Sequence, residues 1–192
     1  MRPITAVILA AGQSRRMGFP KLTLPIDGIS MIARAIAACS AFDTVAIVSP
    51  YLIEQVAFPG EVQTVVNTEP HLGMSHSLKL ADRVIDSSRS LLVIPADKPY
   101  LSSDLIARFL ALAERSTGNQ EADVIFPQRD GVGGHPVLFG PAARTQLAGL
   151  PDGDTLQIVR DMPRLRRLIV RLPDDGAYFD VDDPGAIPAT PE

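Results

Sequence analysis

Three runs in this chain, residues 4–9, 44–49 and 91–94, are apolar almost without interruption and rich in β-branched residues. A strand with one wet face alternates apolar and polar residues; these do not, so both of their faces are expected to be covered. Two further runs, 62–66 and 123–127, have the same composition. Between the runs lie stretches with helical spacing. Residues 30–42 are rich in Ala and Ile, with Ser30 or Gly28 near the start. From about Ser75, the residues Leu78, Ala81, Val84 and Ile85 fall on one helical face. Ser102 is placed to cap a helix running to about Arg115, with Leu105, Ile106, Phe109 and Leu112 as its buried face. Strand-helix alternation of this kind implies an α/β domain of three layers, with a mostly parallel sheet between helices. Later strands are expected at 136–139, 168–172 and 178–181, and helices near 51–57, 142–147 and 155–161. The 192 residues read as one domain, 1–192, with 184–192 as a frayed tail.

In such sheets ligands bind beyond the carboxyl ends of the strands. The polar residues of note fall there. Leu9-Ala10-Ala11-Gly12 leaves the first strand, and the loop continues through Arg15, Arg16 and Gly18 to Lys21 with no acid. A glycine-bearing loop can turn backbone N–H groups toward one point, and cations add charge there, so the loop reads as a pocket for a polyanion such as a nucleoside triphosphate. Asn67 follows the third strand and Asp97 the fourth. His135 lies between the fifth and sixth.

The loop fits neither common phosphate motif. Gly12 has no glycine at position 14, and Gly18 is followed by Phe19-Pro20-Lys21 rather than Lys-Ser/Thr. What remains is a loop with a distal lysine, joined to an acid elsewhere. Asp97 sits between Pro95 and Pro99, which stiffen its turn. A carboxylate beside a triphosphate calls for a cation between them, of which Mg²⁺ is the usual one. A second acid is available in Asp180 or Asp182, which share a side if the segment is extended; Asp183 before Pro184 suits a helix cap.

The formal net charge of -4 argues against a general nucleic-acid binder. No stretch reaches about 18 uninterrupted apolar residues, so no membrane span is expected. The apolar start is short and β-branched, which suits a strand better than a signal peptide. The one cysteine, Cys39, has no partner for a disulfide or a CxxC site and reads as a buried helix residue, consistent with a reducing cytoplasm. His71 and His76 read as loop and helix-surface residues, and three scattered histidines make no zinc site. Five arginines between Arg160 and Arg171 read first as a solvated face and second as a dock for substrate or partner.

Leu9-Ala10-Ala11-Gly12, Arg16-Met17-Gly18 and Lys21 resemble the signature loop of the nucleotidyltransferases that make nucleotide sugars and nucleotide cofactors. Pro95-Ala96-Asp97-Lys98-Pro99 and Asp180-Val181-Asp182-Asp183-Pro184 resemble their two metal-binding segments. The resemblance covers roughly residues 4 to 187 and is strongest to the molybdenum cofactor (molybdopterin) nucleotidyltransferases. Gly73-Met74-Ser75-His76-Ser77-Leu78 and Gly134-His135-Pro136-Val137-Leu138-Phe139 resemble the cytidylyl branch, the latter near the pterin substrate. Gly153-Asp154-Thr155-Leu156 departs from that branch's Gly-Asp-x-Gly, with Leu156 at the second glycine.

The resemblance implies a Rossmann-like fold of the nucleotide-diphospho-sugar transferase type. It implies a Mg²⁺-dependent transfer of CMP from CTP to the terminal phosphate of molybdopterin, in the cytoplasm. Arg16 and Lys21 would be catalytic. Leu9, Ala10, Ala11, Gly12, Gly18, Lys21, Asn67, Ser75, Ser77 and Asp97 would bind nucleotide; Asp97, Asp182 and Asp180 would hold metal; His135, Gly134 and Asp154 would meet the acceptor. Ser75 is equally placed as a helix N-cap. A recipient molybdoenzyme or its chaperone is an implied partner. The alternatives are GTP as donor, a sugar phosphate as acceptor, or a non-catalytic cofactor-binding protein, for which the acids would be superfluous.

Overall fold

The structure is a computed structural model, and it describes residues 2–12, 21–117 and 122–181. Its centre is β1 (Ile4–Ala10), which pairs in parallel with β4 (Asp43–Val48) on one side and β6 (Ser90–Pro95) on the other. Alternate β1 residues go to opposite faces. Ala6, Ile8 and Ala10 join one core cluster, and Val7 joins the other. Every β6 residue is buried as well. The uninterrupted apolar runs therefore have the cause inferred for them: both faces of the sheet are covered.

The covering helices are α1 (Met31–Ala38) and α4 (Ser103–Thr117) on one face, with α3 (Gly73–Val84), α5 (Pro141–Ala148) and the short α6 (Leu156–Arg160) on the other. A short α2 (Pro50–Gln55) follows β4. Ser30 accepts from the Ala33 N–H, Ser49 from Leu52 and Ser102 from Leu105, so hydroxyl caps start three of these helices. Before α1, β2 (Pro25–Ile26) and β3 (Ile29–Ser30) form a small hairpin across Asp27-Gly28.

The remaining main-sheet strands are β5 (Val62–Val66), β7 (Val124–Arg129), β8 (Val132–Gly133), β9 (Val137–Phe139) and β10 (Arg167–Val170). The order is β10-β7-β9-β6-β1-β4-β5, with β8 on β7. All pairs are parallel except those of β8 and β9. In register, Ala10 lies beside Val48, Val48 beside Val66, and Leu9 beside Pro95. The segments that follow β1, β4, β5 and β6 thus share one edge.

Two expectations change. Residues 178–181 are not a strand. Tyr178 and Phe179 donate to the Asp175 carbonyl, Ala177 accepts from the His135 N–H, and Val181 donates to the Asp97 carbonyl. The N–H groups of Tyr178, Phe179 and Val181 are thus used by a turn and a loop contact rather than by a ladder. Helix α3 begins at Gly73, not Ser75, and its N-cap Leu72 supplies no side-chain bond. Cys39 is 1% exposed, and burial pushes its thiol up to about 12, so it stays protonated at neutral pH. Among the described residues no helix is long and apolar enough to cross a membrane.

Arg144 of α5 is buried at 4% exposure. Its Nε donates to Asp82 at 2.7 Å, Nη1 to the carbonyls of Asp86 (2.6 Å) and Arg89 (2.7 Å), and Nη2 to that of Ile85 (3.1 Å). One side chain thereby satisfies three carbonyls of the chain leaving α3 and an acid, Asp82, on the helix's last turn. Arg144→Ala strands three carbonyls and a carboxylate. We expect a loss of about 3 kcal/mol, read as a lower denaturation midpoint in urea at unchanged slope.

Candidate active site

Lys21, on the short 3₁₀ turn Lys21–Thr23, reaches across the sheet edge. Its Nζ donates to Asp97 Oδ2 at 2.8 Å and to the Val181 carbonyl at 2.7 Å. Asp97 follows β6, and its backbone carbonyl accepts from the Val181 N–H at 3.2 Å. The loop after β1, the turn after β6 and the chain approaching residue 182 therefore converge on one ammonium group. The pair is partly open, with side-chain exposures of 12% for Lys21 and 29% for Asp97.

Beside it lies a cleft of about 410 Å³, whose walls include Ala10, Gly12, Leu22, Tyr51, Thr68 and His71. These residues follow β1, β4 and β5. Ala10 and Gly12 carry the expected loop into its wall. Leu9 uses its carbonyl on the Ala96 N–H (3.0 Å), and Ala11 is packed in the core under α3. Tyr51, Thr68 and His71 were not predicted as binding residues. Their signal was positional, since each sits just past a strand end.

Asn67, Ser75 and Ser77 support this cleft from behind. Asn67 is fully buried; its Nδ2 donates to Ser77 Oγ at 3.0 Å and its Oδ1 accepts from the Glu69 N–H at 2.8 Å. Ser75 is 1% exposed and donates to the Pro151 carbonyl at 3.2 Å. That bond helps dock the 151–154 segment on the start of α3. Gly153 donates to the Leu72 carbonyl, and Asp152 accepts from Lys79 at 2.9 Å with the His76 ring 3.4 Å away. The Lys79 bond, first among several causes, holds the Asp152 carboxyl below its usual range. Gly73, at φ +83, meets Gly153: a Cβ there would stand 3.3 Å from the Gly153 Cα.

Next to Asp97, the buried Lys98 is paired with Asp180. Asp180 thus neutralises a lysine, and this distinguishes it from Asp97, whose own partner is the more exposed Lys21. Asp182, Arg15, Arg16 and Gly18 lie outside the described residues.

A smaller cavity of about 200 Å³ opens beyond Lys98, lined by Met74, Gly134, His135, Thr155, Leu156 and Arg160 among others. Gly134 is required there, because a Cβ would meet the Ala177 carbonyl at 2.6 Å and the Tyr178 ring at 2.8 Å. The expected acceptor residues Gly134 and His135 are in this wall. Asp154 is on the loop leading to it, and the irregular Leu156 is in the wall itself. Arg160 was expected on a solvated face; instead its guanidinium lies 4.9 Å over the Phe126 ring, between that ring and the cavity's glycines. His135 Nδ1 is buried with no hydrogen-bond partner. Burial above all, then the charge of Lys98 and, less, of Arg160 push the His135 pKa down to about 3, against an opposing interaction with the Val93 backbone.

A divalent cation suits the strand end. Asp97 already holds a cationic group on Oδ2, and a carboxylate is the oxygen donor that hard cations take. Among the described residues no three His, Cys, Asp or Glu side chains form a metal cluster. A cation here would rest on Asp97 and on phosphate oxygens of a ligand, a common mode for Mg²⁺.

The neutral His135 makes stability depend on pH. Its folded pKa lies below the unfolded value, so between about 6.5 and 3 the unfolded chain binds a proton that the folded chain refuses, and stability falls as pH falls. The slope from this group is at most about 1.4 kcal/mol per pH unit. We expect His135→Asn to flatten the loss of stability between pH 6.5 and 4, measured by urea denaturation at each pH.

Comparison with known proteins agrees with this geometry. A MobA-like NTP transferase domain matches residues 6–172. The bifunctional protein GlmU of Gluconacetobacter diazotrophicus is 34% identical over 123 residues, 62% of this chain and 26% of that protein. The molybdenum cofactor guanylyltransferase of Rhodobacter capsulatus is 31% identical over 121 residues, 57% of this chain and 59% of that one. The matches thus span less than two thirds of the length of these relatives. In fold, the chain is similar to the crystal structure of a homologue of Mycobacterium tuberculosis rv0371c from Mycobacterium sp. strain JC1, with TM-score 0.78, 24% identity, and 95% of this chain and 92% of that one covered. The architecture is of the nucleotide-diphospho-sugar transferase type. With most of β1, Lys21 and Asp97 inside the matched region, the chain belongs to the family of the MobA-like NTP transferase domain.

Proposed function

We propose that this protein is a Mg²⁺-dependent nucleotidyltransferase that moves CMP from CTP onto the terminal phosphate of molybdopterin and releases pyrophosphate. The observation that carries the reading is the Lys21 ammonium held between Asp97 and the Val181 carbonyl, next in the chain to Leu22 of the cleft wall. A cation there faces whatever anion the cleft admits, and a carboxylate beside it can share a metal with that anion.

In the reaction an oxygen of the acceptor's phosphate forms a bond to the α-phosphorus, and the bond from that phosphorus to the bridging oxygen of pyrophosphate breaks. The nucleophile is already ionised near pH 7, so no general base is needed. The barrier is charge crowding, and positioning and electrostatics lower it. Lys21 would neutralise charge moving onto pyrophosphate, together with Arg16 of the same stretch of sequence. Asp97 would hold the metal with Asp182, and Asp180 is bound to Lys98 instead. The metal, when bound, supplies Lewis-acid neutralisation of the phosphates. The nucleoside would lie among Ala10, Gly12, Tyr51 and Thr68, and the acceptor beyond Lys98 at Gly134 and His135.

GTP is the second reading for the donor, favoured by the Rhodobacter capsulatus relative, a molybdenum cofactor guanylyltransferase. CTP is preferred on the Gly73–Leu78 segment, which resembles the cytidylyl branch.

A pyrophosphate-release assay tests this, with each of CTP, GTP, ATP and UTP, Mg²⁺, and molybdopterin present or absent. We expect release with CTP that depends on molybdopterin. Asp97→Asn should lower it by a factor of about 10³ or more, while unfolding free energy shifts by no more than about 1 kcal/mol. No release with any pair would refute the reading.

A further inference from the structure

The smaller cavity contains a cation that the transfer chemistry above does not use. We infer that Arg160 selects the acceptor: its Nη1, beside Gly133, donates to an anionic or carbonyl oxygen on the acceptor body, while His135 Nδ1 meets a neighbouring hydrogen-bonding group. This rests on the reading of the protein as a nucleotidyltransferase.

Three observations converge. The guanidinium is fixed in place on two sides. Its Nε and Nη2 each donate to Asp161 at 3.1 Å, and its plane rests over Phe126. Those contacts use one edge and one face, and Nη1 is the donor they leave for the cavity. Next, residue 133 is a glycine where any side chain would collide with Nη1. The missing Cβ gives the guanidinium its place against the cavity wall. Last, His135 lines the same cavity, and its buried Nδ1 has no hydrogen-bond partner in the protein. A buried polar atom left unpaired is costly, so it is a strong selector for a ligand that pairs it.

The field agrees with the assignment. Burial above all keeps the His135 ring neutral, and Lys98 and, less, Arg160 act in the same direction. Lys98 and Arg160 are each paired with a carboxylate, Asp180 and Asp161, so it is the donor left on Arg160 Nη1, beside a neutral imidazole, that favours an acceptor with an oxyanion or a strongly polarised oxygen. Met74 and Leu156 line the rest with apolar surface, which suits the flat body of a heterocycle more than a sugar rich in hydroxyls. Leu156 stands where the related branch carries a glycine, so the apolar part of this wall is a property of this chain.

The experiment measures equilibrium binding of molybdopterin, without nucleotide, to wild type, Arg160→Met, Arg160→Lys and Gly133→Ala, with CTP binding and melting temperature recorded on the same samples. Gly133→Ala is informative because it keeps the arginine and only displaces the flexible end of its side chain. We expect Arg160→Met and Gly133→Ala to weaken molybdopterin binding about tenfold or more, with Arg160→Lys between, and CTP affinity to hold within about twofold. In turnover, the acceptor KM should rise while kcat stays near wild type. Wild-type affinity in Arg160→Met or in Gly133→Ala overturns the assignment, as does a wild type that does not bind molybdopterin. If the wild type binds molybdopterin yet releases no pyrophosphate, the transferase reading fails, and the same binding series still decides the role of Arg160.

Discussion

One ammonium group organises the edge of this sheet. Lys21 sits between Asp97 and the carbonyl of Val181, 76 and 160 residues further along the chain. It adds to the backbone bonds from Val181 to Asp97 and from Ala96 to Leu9 and to the Lys98–Asp180 pair, which join the same segments. The contact is favourable because the lysine is mostly buried and its partners are a carboxylate and a carbonyl. It is also exchangeable, since the pair is partly open and an exposed ion pair contributes little to stability. A group that joins the loops weakly and carries full charge is well suited to be taken over by a phosphate.

The two cavities flank this contact and are mechanically connected. The nucleotide-side cleft is backed by Asn67 and Ser77, the latter on α3. The start of α3 carries the 151–154 segment through Ser75, Leu72 and Lys79. That segment leads into Leu156 and Arg160 of the smaller cavity. A side chain at Gly73 would press on the Gly153 backbone, 3.3 Å from its Cα. A shift at one cavity therefore has a packed route to the other through α3, rather than through a flexible linker.

The parallel sheet was legible because its strands are apolar on both faces, and the strand-end rule then put Gly12, Lys21 and Asp97 on one edge. Asp97 was legible for a local reason, its place between two prolines. Other residues gave no such signal. Asn67, Ser75 and Ser77 are polar and near a strand end, and nothing local distinguishes a ligand contact from a buried brace. Arg144 is one arginine on a short helix, and its importance depends on carbonyls more than fifty residues away. Arg160 was hidden in a run of arginines, where only tertiary packing on Phe126 separates it from its solvated neighbours. Residues 178–181 have strand composition, but their hydrogen bonds go to Asp175 and Asp97.

The central claim is that Asp97 and Lys21 form a site shared by a metal and a triphosphate. It is tested most directly by measuring CTP affinity by calorimetry with and without Mg²⁺, in wild type and in Asp97→Asn. The account predicts that Mg²⁺ tightens CTP binding to the wild type by about tenfold or more and has little effect on Asp97→Asn. A wild type that binds CTP equally well with and without the metal, or an equal metal effect in both proteins, would contradict it.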